Sequence, residues 1–267
     1  MSFLRKDYGK TCCALAALAC APSSASAGAW TLPEGNGQII ETLLGWFGQG
    51  PSSGAPAASR ESKVEAQTYL EYGVTDRLTL VGQLSAERYA LLAPPTKDIY
   101  AGLDYSGAGL RVRLWSDDAW VFSLESSAYV SGARDGARPA QAGDTGPAFD
   151  MRALVGRNLT LYGAPAFADG EVGYRVRTQG PPSEWHADLT LGVAWTPRVQ
   201  ILAQIFNTMS DGAGAPGYVA WESYKGQLSV VYALDEDWSL QLGGFSTLQR
   251  RNVNSEYGAV VAVWRRF

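Results

Sequence analysis

Beyond residue 27 the 267-residue chain has no cysteine and a single histidine. All three cysteines (Cys12, Cys13 and Cys20) come earlier. The remainder can therefore form no disulfide, no thiolate metal site and no cysteine nucleophile. With one His and no Cys there, the sequence gives no ground for a metal centre at His186. Past the N-terminus no apolar run reaches the length of a membrane-crossing helix. There is no basic run of the kind that grips nucleic acid, and the net charge is −4. Neither a phosphate-binding loop nor a dinucleotide fingerprint occurs, so no cofactor is expected.

The first 27 residues read as a secretory signal. Arg5, Lys6 and Lys10 outweigh Asp7, a short apolar run covers Cys12 to Ala21, and Ala25-Ser26-Ala27 is a small-residue cleavage site. A lipid-anchored start at Cys20 is the alternative, but Ala17-Leu18-Ala19 fits that motif poorly because Leu is wanted three residues before the cysteine. Removing residues 1–27 takes away a net charge of +2 (three cations less one carboxylate), leaving −6 on residues 28–267. No linker divides those residues, so a single domain is expected.

What the mature chain does have is period-two alternation. Between residues 62 and 73, Val64, Ala66, Thr68, Leu70 and Tyr72 alternate with Lys63, Glu65, Gln67 and Glu71. A helix, repeating at 3.6, would not keep that order. Similar stretches recur at 78–88, 107–115, 120–130, 148–157, 166–177, 185–195, 199–208, 219–232, 238–248 and 257–267, and a first strand near 37–47 alternates only weakly. Tight polar turns, such as Val74 to Arg77 and Ser116 to Ala119, alternate with longer loops, chiefly 48–61 and 131–147. The segment 158–165 is the least distinct turn. Strands of about ten residues suit a tilted crossing of a bilayer. Trp115, Trp120, Trp185, Trp195, Tyr232 and Trp238 fall at strand ends, where an interfacial girdle would sit. The pattern predicts an all-β fold: a transmembrane, antiparallel, up-and-down β-barrel of about twelve strands spanning residues 28–267, preceded by a cleaved signal peptide. Hydrocarbon demands that closure, because a spanning sheet cannot leave an edge unpaired.

The last strand ends Tyr257-Gly258-Ala259-Val260-Val261-Ala262-Val263-Trp264-Arg265-Arg266-Phe267. Its apolar every-second positions and final aromatic resemble the C-terminal strand of bacterial outer-membrane barrels. The resemblance implies that Tyr257, Val261, Val263 and Phe267 form the signal read by the barrel-assembly machinery. Arg265 stands where that pattern usually has an apolar residue. Further stretches are Tyr72-Gly73-Val74-Thr75-Asp76-Arg77-Leu78-Thr79-Leu80, Leu110-Arg111-Val112-Arg113-Leu114-Trp115, Ala187-Asp188-Leu189-Thr190-Leu191-Gly192 and Gln204-Ile205-Phe206-Asn207-Thr208. With the terminal strand, they make the chain similar to outer-membrane transporter barrels of the MetA-pathway-of-phenol-degradation type. Each motif is short and generic to barrels, so the resemblance implies a fold more than a substrate. It implies a barrel of twelve or so strands that passes small molecules, aromatic or hydrophobic ones among them.

The faces expected to point inward carry Glu65, Glu71, Glu87, Glu125, Asp150, Asp169, Glu171 and Asp188, together with Arg111, Arg113, Arg152, Arg175, Arg177 and His186. Such a lining either selects solutes or fills a narrow barrel with ion pairs. The two signs are near balance, which argues against strong ion preference. The leading expectation is a narrow passive channel for small solutes in the outer membrane of a Gram-negative bacterium. A non-conducting structural or surface-interaction barrel with functional external loops is the alternative. A lipid-directed hydrolase around His186, with Asp188 on the same face, is the third; the close His-x-Ser spacing of the outer-membrane phospholipase is absent. No catalytic residue is assigned. The expected partners are outer-membrane lipids and lipopolysaccharide, the assembly machinery and an unidentified small solute, with no nucleic acid.

Overall fold

The computed structural model describes residues 28–50, 60–93, 96–130, 146–216 and 218–267. The expected signal peptide and most of the loops 48–61 and 131–147 lie outside the described residues. The strands, in order, are β1 (Gly37–Gln49), β2 (Arg60–Thr75), β3 (Leu78–Ala93), β4 (Thr96–Leu103), β5 (Ser106–Ser116), β6 (Trp120–Val130) and β7 (Ala148–Leu161). They continue with β8 (Ala164–Arg177), β9 (Glu184–Thr196), β10 (Val199–Ser210), β11 (Glu222–Ala233), β12 (Trp238–Arg251) and β13 (Ser255–Arg266). Except for β4 and β5, sequence neighbours pair antiparallel, and β1 pairs with both β2 and β13, so the sheet closes on itself. At the seam Gly37 N donates to Phe267 O at 2.7 Å and Phe267 N donates to Gly37 O at 3.0 Å.

Thirteen strands occupy twelve positions. β4 pairs with Ala86 to Ala93, the upper half of β3, and β5 pairs with Leu78 to Gln83, the lower half. The two share one place in the wall, interrupted at Asp104 and Tyr105. From sequence a loop is expected around Ala93-Pro94-Pro95-Thr96; in the structure β4 instead begins at Thr96, and its eight residues cover only part of the wall. Three more boundaries differ. β7 runs on to Leu161, and the indistinct segment 158–165 is a tight hairpin through Tyr162 (φ 51°) and Gly163 (φ 83°). Both central residues have positive φ, which matches the strand twist. β11 begins at Glu222 rather than 219. Only residues 252–254 separate β12 from β13, so the alternation of short turn and long loop fails at the last connection.

Five short turns lie at one end: 76–77, 117–119, 162–163, 197–198 and 234–237. By barrel precedent this is the periplasmic end. Leu43, Leu70, Leu80, Leu124, Leu189, Leu228 and Val261 are exposed on the outer face, as a lipid-facing wall requires. All six girdle aromatics face outward. Five of them (Trp115, Trp120, Trp195, Tyr232 and Trp238) stand near the short turns, and Trp185 stands near the loops. Arg265 also points outward. Its guanidinium lies 5.3 Å from the Trp238 ring centroid, a cation–π contact that accommodates the charge in the girdle. Tyr257, Val263 and Phe267 are outward as well.

The interior near the short turns is apolar. Ile40, Phe167, Leu202, Val231, Ala262 and Trp264, from five strands around the ring, meet there with Trp30 and Tyr69 against them. This cluster floors the barrel. Residues 28–36 complete the floor by entering the lumen before β1 starts. Their course is fixed at Gly73, which donates from its N to Asn36 O (2.9 Å) and accepts from Gly35 N (2.9 Å). A Cβ on Gly73 would fall 2.1 Å from Pro33 O and 2.6 Å from Leu32 O, both backbone atoms. Gly73→Ala is therefore expected to push the entering segment aside and to lower stability by about 1–3 kcal/mol, the usual cost of overpacking. A urea-unfolding midpoint equal to that of the unsubstituted protein would contradict this.

Candidate functional site

Above the floor the lumen is polar along most of its wall, with one apolar cluster of Trp46, Tyr89 and Leu91, backed by Leu44 and Phe245, toward the loop end. Period-two geometry sends every second side chain inward, and cross-strand register then sets which charges meet. All fourteen charged or ionisable residues expected inside do belong to inward faces, and they gather into three clusters plus two isolated groups. Three participants were not among the expected lining: Lys63, Asp104 and Glu184.

In the first cluster, Lys63 Nζ lies 2.9 Å from Glu65 Oε2, 2.7 Å from Glu87 Oε2 and 2.9 Å from Asp104 Oδ2. Lys63 stands on the polar face of β2, but Asp104 sits at the β4–β5 interruption, which no alternation marks.

The second cluster is the most buried. Arg111 donates from Nη1 to Glu71 Oε1 (2.7 Å) and to Trp30 O (3.1 Å), from Nε to Glu125 Oε2 (2.9 Å), and from Nη2 to the Tyr69 hydroxyl (3.1 Å). The Arg111 and Glu71 side chains are 3% and 0% exposed. Glu125 is the direct cross-strand partner of Arg111, whereas Glu71 reaches it from across β3.

The third cluster joins β7, β8 and β9. Arg152 donates to Asp150 (2.9 Å) and Glu171 (3.0 Å) and lies 3.7 Å from Asp188. Arg175 donates to Asp150 (2.9 Å) and lies 3.4 Å from Glu184, and Arg177 donates to Glu184 at 2.7 Å. Tyr105 lies beneath both upper arginines at 5.5 Å. His186 belongs to this cluster: Nε2 is 3.1 Å from Glu184 Oε1 and Nδ1 is 3.5 Å from Thr208 Oγ1. Its carboxylate is thus Glu184 rather than Asp188, whose Oδ1 accepts from Asn207 N. The hydroxyl beside His186 is a threonine held at the limit of a hydrogen bond, a filler's arrangement rather than an activated nucleophile's. Glu184 could have been anticipated. It is two residues before His186, on the same face, but just outside the strand as bounded from sequence.

Two groups stand apart. Among the described residues neither Arg113 nor Asp169 forms a side-chain ion pair. Asp169 instead accepts from Ala29 N at 2.8 Å, and Ala29 O accepts from the Ser123 hydroxyl. The segment 28–36 is further held by Thr31 Oγ1 donating to Asp76 O (2.7 Å) and Leu32 N donating to Thr79 Oγ1 (3.0 Å). Trp30 packs edge-on against Phe167 with centroids 5.7 Å apart. Sequence reading missed this stopper because its residues precede the first strand and show no period. Each cluster has more carboxylates than cations, three to one, two to one and four to three. With Asp169, Arg113 and the inward Lys225–Glu256 ion pair included, these groups of the described residues hold eleven carboxylates against seven cations, so the near-balance expected from sequence becomes an acidic excess.

A concave apolar trough of about 1140 Å³ lies on the outer wall, bordered by Phe47, Leu189, Ile205, Leu228, Leu248 and Tyr257. It faces lipid rather than the lumen.

No protein-family model matches the chain, and no curated protein sequence matches it. Solved structures do. The COG4313 outer membrane channel from Pseudomonas putida F1 aligns over 90% of this chain and 98% of its own, with a TM-score of 0.69 at 13% identity. The fold is that of an outer-membrane β-barrel. The translocator domain of the autotransporter NalP from Neisseria meningitidis aligns over 87% of this chain and 89% of its own (TM-score 0.58, 12% identity). The β domain of the Bordetella autotransporter Brka aligns over 88% and 100% (TM-score 0.54, 15% identity). At these identities the likeness establishes the architecture of this barrel and not its role.

Proposed function

We propose that this barrel is a narrow channel for small polar or amphipathic solutes, with its periplasmic mouth stopped by residues 28–36. The observation that carries the proposal is the lumen chemistry. Charged side chains from most strands line a wall that a purely structural barrel could fill with uncharged polar or apolar groups, and a charged lining is what orders and selects passing solutes. The COG4313 structure, described as an outer membrane channel, is a structural neighbour, and the resemblance to transporters of the phenol-degradation type agrees with it. The apolar floor favours a second reading, a barrel that does not conduct at rest and acts through its external loops.

The acidic excess supports a preference for cations. In planar bilayers with asymmetric KCl, the protein is expected to pass K⁺ in preference to Cl⁻. Arg113→Glu is expected to raise that preference, because Arg113 forms no ion pair among the described residues and its charge acts on the lumen directly. A correctly folded, heat-modifiable barrel that stays silent in the bilayer would overturn the channel reading. Anion-selective steps would overturn the electrostatic one.

A further inference from the structure

We propose that cleavage after Ala27 creates an ion pair, between the new α-ammonium of Gly28 and the Asp169 carboxylate, that locks the N-terminal stopper inside the barrel. The inference rests on the expected signal cleavage and is independent of whether the lumen conducts.

Asp169 is 7% exposed and inside the wall of β8. A carboxylate so placed is costly unless a cation or several donors meet it. One backbone donor is on hand, Ala29 N at 2.8 Å. The guanidinium of Arg111, which donates to the Trp30 carbonyl of the same entering segment, is engaged by Glu71, Glu125 and Tyr69. The position beside the carboxylate is filled by Gly28. A Cβ built on Gly28 would fall 2.4 Å from Asp169 Cγ and 2.4 and 2.5 Å from its two oxygens. Glycine is therefore the residue that lets the backbone press against this carboxylate, and Gly28 follows directly on Ala25-Ser26-Ala27.

In the precursor, the Gly28 nitrogen is a neutral amide. A leader peptidase adds water across the Ala27–Gly28 bond, leaving a carboxylate on Ala27 and an amine on Gly28 that is protonated at neutral pH. Cleavage thus delivers one positive charge to the place where Asp169 has none, and the segment carrying it bears Trp30, a main element of the floor. Export and closure are thereby coupled: the stopper is anchored once the leader is gone.

The test uses protein extracted from outer membranes. Intact mass is expected to place the N-terminus at Gly28. An amine-directed reagent applied at about pH 7, where α-amines outcompete lysines, is expected to label the folded barrel at least about tenfold more slowly at Gly28 than the heat-unfolded chain, because labelling must await local opening. Asp169→Asn is expected to abolish that protection. If it fails to fold, a serine inserted between Ala27 and Gly28 serves the same end by moving the ammonium off the carboxylate. A mature terminus elsewhere, labelling of the native barrel as fast as the unfolded chain, or protection unchanged in the folded variants would each overturn the inference. None of these readouts depends on conductance.

Discussion

Replacing Arg111 with Met is expected to cost about 3–5 kcal/mol of stability, the penalty for removing one partner of a buried ion pair. Arg111 is the only cation in contact with Glu71 and Glu125 among the described residues, and its side chain and that of Glu71 are almost wholly enclosed. Methionine has similar length and leaves no cavity of consequence. What it leaves is two carboxylates without a counter-charge, plus an unpaired Trp30 carbonyl. The loss is therefore electrostatic rather than steric. It is expected to be largely recovered when Glu71 and Glu125 are both changed to Gln alongside it, because a buried ion group replaced as a unit costs little. Urea titration of the refolded barrel, followed by tryptophan fluorescence and heat modifiability on gels, measures both variants. If the single and triple variants unfold together, Arg111 is a packing residue and the charge argument fails. Lys in place of Arg111 is expected to fall between them, since an ammonium cannot present the same fork of donors to Glu71, Glu125, Tyr69 and the Trp30 carbonyl.

The second large effect concerns the stopper. Deleting residues 28–34 is expected to increase single-channel conductance about threefold or more, because a twelve-stranded barrel is close to the size at which side chains and inserted chain decide whether water fills it. The deleted residues contribute Ala29, Trp30 and Thr31 to the interior and contact four strands through Asp169, Ser123, Arg111 and Thr79. The outer wall does not use them, so the barrel should still assemble and remain heat-modifiable. Phe167 and Trp264 persist as the rest of the floor. Adding Phe167→Ala to the deletion is expected to raise conductance again. Steps of unchanged size in both variants would mean that the path for ions does not run through this floor.

Much of the fold was determined by the sequence alone. Alternation at period two marks each wall strand, because a strand turns successive side chains to opposite faces and a membrane barrel has lipid on one side and water or polar groups on the other. That is why alternation alone places Glu65, Arg111, Asp150, Glu171 and Asp188 on inward faces. The tertiary structure decided what alternation does not encode. It showed which inward charges meet, since Arg111 reaches Glu71 across an intervening strand and Asp104 joins Lys63 from an interruption in the wall. It replaced Asp188 with Glu184 as the carboxylate of His186. It closed the periplasmic end with Phe167, Trp264 and a segment that precedes every strand. Face is a local property, fixed by the backbone within a few residues; pairing across a lumen depends on shear and closure around the whole ring, which no short stretch of sequence carries.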